Sequence, residues 1–282
     1  MKSIVYILIA VFISTILLSA FPKPKLENSK AITLLCTEKA SDEEFNQSIE
    51  IITNRLKSFG LEGFEVEGKM KKMTILVSLK NDAEVNEIKP LLTSKGKLEF
   101  CETLSKDQLI SKLGKEDKLF SLLSKEGKGT DAALGYSSKE NKAKIDKYIN
   151  SSLKDKLAKA ELEFAWSKFP TEEAVWSLFL LNQENNLSGK YVSESVPSTD
   201  GESVMLSFSE KGSVLWKELT ARNVNKPIAI VVDKEVYSAP LVRAAIEHGK
   251  CQISGNFSTS EVSRLVSIFE NGELPLSFNL KE

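Results

Sequence analysis

One histidine, His248, and three cysteines, Cys36, Cys101 and Cys251, are all that the chain offers for nucleophilic, imidazole or soft-metal chemistry. Zinc centres draw on clusters of Cys and His, and acid–base catalysis at neutral pH draws on His first. His248 stands in Ile246-Glu247-His248-Gly249, which reads as a helix end, where an imidazolium serves the helix dipole better than catalysis. The cysteines are odd in number and no CxxC occurs, so at most one internal disulfide can form, with three possible pairings. Cys36 and Cys101 fall in strand-like runs, ITLLC and KLEFC, and read best as small buried apolar residues. Glu43-Glu44 and Glu172-Glu173 sit where carboxylates favour helix N-termini, and neither GxxxxGK nor GxGxxG is present. The residues therefore point to binding or structural work; no catalysis, metal or cofactor is expected. Lys+Arg of 38 against Asp+Glu of 39 also argues against a nucleic-acid partner.

The elements that must position any binding surface begin at the N-terminus. IVYILIAVFISTILLSAF, Ile4 to Phe21, carries no charged side chain. As a helix it would span roughly 27 Å, close to a hydrocarbon core of about 30 Å. We read 1–22 as a retained membrane anchor; a cleaved signal peptide is the alternative, with a shorter apolar region and a weaker cleavage site at Leu18-Ser19-Ala20 against it. The rest of the chain is expected outside the cytoplasm.

Beyond it, Ala31 to Thr37 reads as a strand. Ser41 with Glu44 is a capping box opening a helix whose buried stripe is Phe45, Ile49, Ile52, Leu56 and Phe59, ended by Gly60. Phe64 to Glu67 and Thr74 to Leu79 read as strands; Asn81 with Glu84 opens a second helix, and Lys97 to Cys101 is a further strand. The order βαββαβ over 30–103 is the pattern of a ferredoxin-like base. Residues 104–190 read as a helical insertion, with 14 Lys and 10 Asp+Glu between Leu104 and Phe169. The Lys face is expected to be solvated, and Trp166, Phe169, Trp176 and Phe179 to be core. Residues 191–282 return to α+β. Val204 to Phe208 is a strand, Ser209 opens a helix through Leu215, Trp216 and Leu219, and Ile228 to Val232 is a central strand. Asp233-Lys234 reads as a hairpin turn into Val236 to Ser238, although Lys suits the second position of a type I′ turn poorly. Cys251 to Ser254 is a strand. Ser258 with Glu261 is a third capping box, Asn271-Gly272 stops that helix, and LPLSF is a terminal strand that could return to either module. The fold class is thus α+β: a ferredoxin-like base, a helical insertion and an α+β head, preceded by one membrane helix.

Four ordered words after Pro227 carry a resemblance: AIVVD, VYSAP, ISGNF and GELP. Together with VMLSFSEKGSVLWKELTARN and, upstream, IEIITNRLKSFGLEGFEVE, this stretch resembles the large extracytoplasmic domain of SecD and SecDF, the bacterial protein-export subunits, most closely in chains of the Bacteroidetes type. Arg55 and Gly60 fall in the family's helix positions. The family's LGLDLxGG-type motif has no counterpart in PKPKLENSKAITLLC, and no carboxylate stands in the apolar stretch to carry protons. The resemblance implies a single-pass, inner-membrane accessory of Sec-dependent export, its soluble part periplasmic. It would bind translocating unfolded polypeptide, the Sec translocon or a full-length SecDF, and would need no cofactor. An adaptor that keeps this exterior fold without an export role is the alternative. An open sheet edge pairs with an extended peptide through backbone groups, which makes such binding sequence-tolerant. The head residues implicated are Asp233, Tyr237, Ser238, Ala239, Pro240, Gly255, Asn256 and Phe257.

Overall fold

The computed structural model describes residues 30–80, 85–125, 127 and 132–281; the expected membrane segment 1–22 and the Asn81/Glu84 capping pair lie outside these. Apolar residues alternate along β1 (Lys30–Cys36) and β3 (Thr74–Leu79), burying Ile32, Leu34, Ile75, Val77 and Leu79 on one face. With β2 (Phe64–Lys69) they pair antiparallel, and α1 (Asp42–Ser58) and α2 (Val85–Thr93) bring buried residues to the same core. The capping box that opens α1 is present: the Glu44 amide donates to Ser41 Oγ at 3.2 Å, and the Ser41 amide to the Glu44 carboxylate at 2.9 Å. Such a cap stabilises a helix by about 1 kcal/mol.

The fourth strand of this base is not the expected one. β4 (Leu98–Thr103) leaves for a second sheet, and the C-terminal strand β13 (Phe278–Leu280) pairs with β1 instead, giving the order β13-β1-β3-β2. The reason lies in burial. Leu98, Glu99, Phe100 and Cys101 are all buried, so β4 hides both faces, whereas Thr33, Leu35, Leu76 and Ser78 leave one face of the base sheet partly open. LPLSF therefore returns to the base.

In the second sheet β4 lies between β7 (Trp176–Ser188) and β10 (Ile228–Val232), and β11 (Glu235–Ser238) completes the hairpin from β10. β5 (Gly135–Ser137) and β6 (Leu162–Trp166) also pair with β7. Residues 104–190 are thus only partly helical, as α3 (Lys106–Leu113), α4 (Lys118–Leu122), α5 (Lys139–Tyr148) and α6 (Lys154–Ala158). The run Ser177 to Leu181 is buried on both faces, which hides the two-residue period of a strand and leaves a helical reading open. Of the four aromatics expected in the core, Phe179 is buried. Trp166 and Trp176 are half-buried and share the Lys142 ammonium, 5.1 and 5.4 Å from their ring centroids.

The third sheet, β12-β9-β8, comprises β8 (Val192–Pro197), β9 (Ser203–Phe208) and β12 (Lys250–Ser254). It is associated with α7 (Glu210–Arg222), which carries Trp216, and α8 (Thr259–Asn271). Ser258 caps α8 through the Glu261 amide, while the Glu261 carboxylate turns to Arg264 at 2.5 Å. Ile246 to Gly249, read from sequence as a helix end, instead belong to an irregular strap, and His248 is exposed there.

Base and head share one core, in which Leu34, Ile75 and Ile88 belong to the same cluster as Phe100, Trp216, Ile230 and Leu265. At its centre stands a charge. Arg55 of α1 is fully buried, and its guanidinium donates to the carbonyls of Leu91 (3.2 Å), Ser94 (2.6 Å), Lys95 (3.0 Å) and Gly272 (2.6 Å). Burial lowers its pKa to about 10, with Asp233 and Glu273 pulling the other way, so Arg55 stays protonated at neutral pH. Gly96 (φ 76°) has no room for a side chain, because a Cβ there would stand 2.5 Å from Arg55 Nη2.

Replacing Arg55 by Met keeps the aliphatic stem and strands these buried carbonyls. Arg55→Met should cost about 3 kcal/mol or more in urea unfolding. Lys57→Met, at an exposed site on the same helix, should stay within about 0.5 kcal/mol. Similar losses for the two variants would contradict the structural role given to Arg55.

Candidate functional site

The β10–β11 hairpin positions the first group of head residues. Asp233 (φ 50°) and Lys234 (φ 70°) both adopt the left-handed conformation that a type I′ turn requires. The unfavourable Lys is tolerated because the turn is fastened elsewhere. The Asp233 carboxylate accepts from Ser94 Oγ (2.6 Å), the Gly96 amide (3.2 Å) and the Lys97 amide (2.9 Å), and the Asp233 amide donates to the Lys97 carbonyl (3.1 Å). Asp233 is therefore tied to the loop leading into β4.

Tyr237 points from β11 into an aromatic cluster. Its ring centroid is 5.8 Å from that of Phe169 and 6.3 Å from that of Phe257, and Phe169 and Phe257 are 5.9 Å apart. Burial pushes the Tyr237 hydroxyl well above the ordinary phenol range, so it remains protonated. Lys168 pairs with Glu235 at 2.6 Å and lies 5.9 Å from the Tyr237 ring centroid. Gly255 lies close against Phe257, where a Cβ would come within 2.8 Å of the ring. Tyr237 and Phe257 thus meet, with Gly255 against Phe257, and Phe169, which the sequence reading assigned to general core, joins them. Ser238 ends β11 opposite Ile230, and Asn256 is exposed beside Gly255.

A cleft of about 400 Å³ opens here, lined by Ser94, Lys168, Asp233, Tyr237, Arg264 and Ile268 among others. Apart from Lys89, which donates to Asn86 Oδ1 at 2.9 Å, its charges are internally matched. Arg264 bridges Glu87 (2.7 Å) and Glu261 (2.5 Å), Lys168 holds Glu235, and Asp233 has its three donors. A cleft so compensated offers little free charge to a ligand.

Ala239 and Pro240 lead away from this cluster towards the other end of β10. From there to Gly249 the chain forms a strap beside a second concavity of about 620 Å³, whose lining includes Trp216, Ile228, Ile230, Val242 and Cys251. Each of these five side chains is buried, and Leu241 stands at the lip, 42% exposed. The strap is tethered at intervals: the Ile228 amide donates to Pro240 O (3.1 Å), the Val242 amide to Lys226 O (3.0 Å), the Ile246 amide to Thr220 Oγ1 (2.9 Å) and the Phe208 amide to Gly249 O (2.8 Å). Sequence reading identified Pro240 but missed the groove, because LVRAAIEHG resembles a helix end and carries no turn signal for a strap.

Among the described residues no group of three or more His, Cys, Asp or Glu is placed to hold a metal. Cys36, Cys101 and Cys251 are free and buried, and burial raises the thiols of Cys101 and Cys251 to about 12. No helix of the described residues is long and apolar enough to cross a membrane.

Comparison with known proteins gives this geometry a context. Residues 167–276 match the family model described as SecDF, P1 head subdomain. The protein translocase subunit SecD of Calditerrivibrio nitroreducens is 38% identical over 108 residues, 37% of this chain and 21% of that protein. SecD of Rhodothermus marinus is 23% identical over 291 residues, 86% of this chain and 46% of that protein. The chain thus spans less than half the length of either relative. A solved structure of SecDF, described as a membrane component that enhances protein export, superposes with a TM-score of 0.55 at 21% identity, covering 90% of this chain and 98% of that one. At that identity the likeness is one of fold.

The thiols give a direct check on the described core. In the native protein none of Cys36, Cys101 and Cys251 should react with a maleimide at pH 8 within minutes, and all three should react after denaturation without reductant. Fewer than three modifications in the unfolded chain would reveal a disulfide and contradict the structure.

Proposed function

Because the chain belongs to the SecD/SecDF periplasmic-domain family, we propose that it is an extracytoplasmic accessory of Sec-dependent protein export. In this reading the apolar segment Ile4 to Phe21 holds it in the inner membrane, and base and head engage the Sec translocon, a full-length SecDF or the unfolded polypeptide emerging there. The observation that carries the reading is the head: its matched residues 167–276 contain both the aromatic cluster around Tyr237 and the strapped apolar groove.

The work asked of such a module is binding, not bond-making. An unfolded chain presents aliphatic side chains, and each one buried in an apolar groove contributes about 2 kcal/mol. Ordering the segment takes back much of that, so two or three such contacts give weak, reversible capture. Weak capture suits a polypeptide that must be released. The backbone edge of β12 adds hydrogen-bonding groups that any sequence can use.

Affinity purification of the tagged protein from mildly solubilised native membranes, followed by quantitative mass spectrometry, tests this. Sec channel subunits, full-length SecDF or secretory precursors should be enriched over a tagged membrane-protein control. Their absence, with one unrelated envelope protein dominating, would replace the export role by that of an adaptor.

A further inference from the structure

The two concavities of the head differ in charge. In the cleft beside Tyr237, Lys89 donates to Asn86 Oδ1 and the other charged groups are matched by ion pairs or by hydroxyl and amide donors. At the rim of the strapped groove they are not. Arg243 and Lys250 are exposed and form no ion pair among the described residues, while the acidic rim residue Glu247 is neutralised by Lys217 at 2.9 Å. The rim is therefore cationic around an apolar floor. It is also presented on a frame: Arg243 follows the tethered Val242, and Lys250 belongs to β12, the edge strand of its sheet.

We infer that this groove selects extended polypeptide segments in which an apolar stretch is flanked by carboxylates, the apolar side chains lying on Ile228, Ile230, Val242 and Trp216 and the carboxylates meeting Arg243 and Lys250. The inference rests on the reading of the head as a polypeptide-binding module and names the segment chemistry it favours. Lysine-flanked segments are disfavoured by like-charge repulsion at the same rim. Because Arg243 and Lys250 are solvated, the selectivity is modest and salt-dependent: about five- to tenfold at low ionic strength, vanishing when the Debye length shrinks to a few ångströms.

The test is fluorescence anisotropy with the full-length protein in nanodiscs, empty nanodiscs serving as the blank. Three fluorescent peptides share one alternating apolar core and end in two glutamates, two serines or two lysines. The glutamate peptide should bind tightest and the lysine peptide weakest, with the difference collapsing in 0.5 M salt. Arg243→Glu with Lys250→Glu should reverse the order, and Arg243→Gln should shrink it; both residues are exposed, so the fold, checked by near-UV circular dichroism, should survive. Leu241→Asp should weaken all three peptides. If the three peptides bind equally and the charge reversals change nothing, the selectivity is wrong while polypeptide capture stands. If none of the peptides binds at any salt concentration, the capture reading itself fails and takes the selectivity with it.

Discussion

A buried, protonated guanidinium must be given acceptors, and Arg55 obtains them from two separate stretches of chain. Leu91 lies in the last turn of α2, Ser94 and Lys95 follow it directly, and Gly272 ends α8 more than two hundred residues away in sequence. The Arg55 carbonyl in turn accepts from Ser267 Oγ of α8 at 2.5 Å. A buried charge is weak evidence of net stability, since an apolar replacement of the whole set could do as well. Its removal alone is a different matter, because it strands the partners. The base helices and the last helix of the head are thereby held at one point.

From that knot the positions of the head surfaces follow. The loop at Ser94 to Lys97, fixed on one side by Arg55, is fixed on the other by the Asp233 carboxylate, which sets the β10–β11 hairpin. The hairpin carries Tyr237 into its cluster with Phe169 and Phe257 and then delivers Pro240 to the strap. β13 completes the base sheet from the far end of the chain, so base and head are interleaved in sequence as well as packed together. The head consequently has two concavities along one strand: a largely charge-compensated cleft at Val232 and an apolar groove with a cationic rim at Ile228 and Ile230.

Much of this was legible in the residues. The capping pair Ser41/Glu44, the stripe from Phe45 to Leu56, the alternation in TILVSL and the unbroken run Ile228 to Val232 each declare one element, because each depends on local chemistry or on a clean period. β4 and β7 were harder. Burial on both faces erases alternation, so LEFC was assigned to the wrong sheet and the run in β7 looked compatible with helix. Among the eight head residues, Tyr237 and Phe257 come together in one aromatic cluster, while Asp233 is a fastening residue facing the base. The groove was invisible because its floor is drawn from α7, β10 and β12, which are far apart in sequence. Nor does anything local in Arg55 announce that it is buried; only the convergence of four distant carbonyls does.

The central claim is that base and head are one cooperative unit, joined at Arg55 and Asp233. Native-state hydrogen exchange across a urea series, read by mass spectrometry, measures it most directly. Peptides covering β3 in the base and β10 in the head should lose protection together, with the same opening free energy and the same dependence on urea. Loss of protection in β3 at urea concentrations that leave β10 fully protected, or the reverse, would mean that the two parts unfold independently and that the knot does not join them.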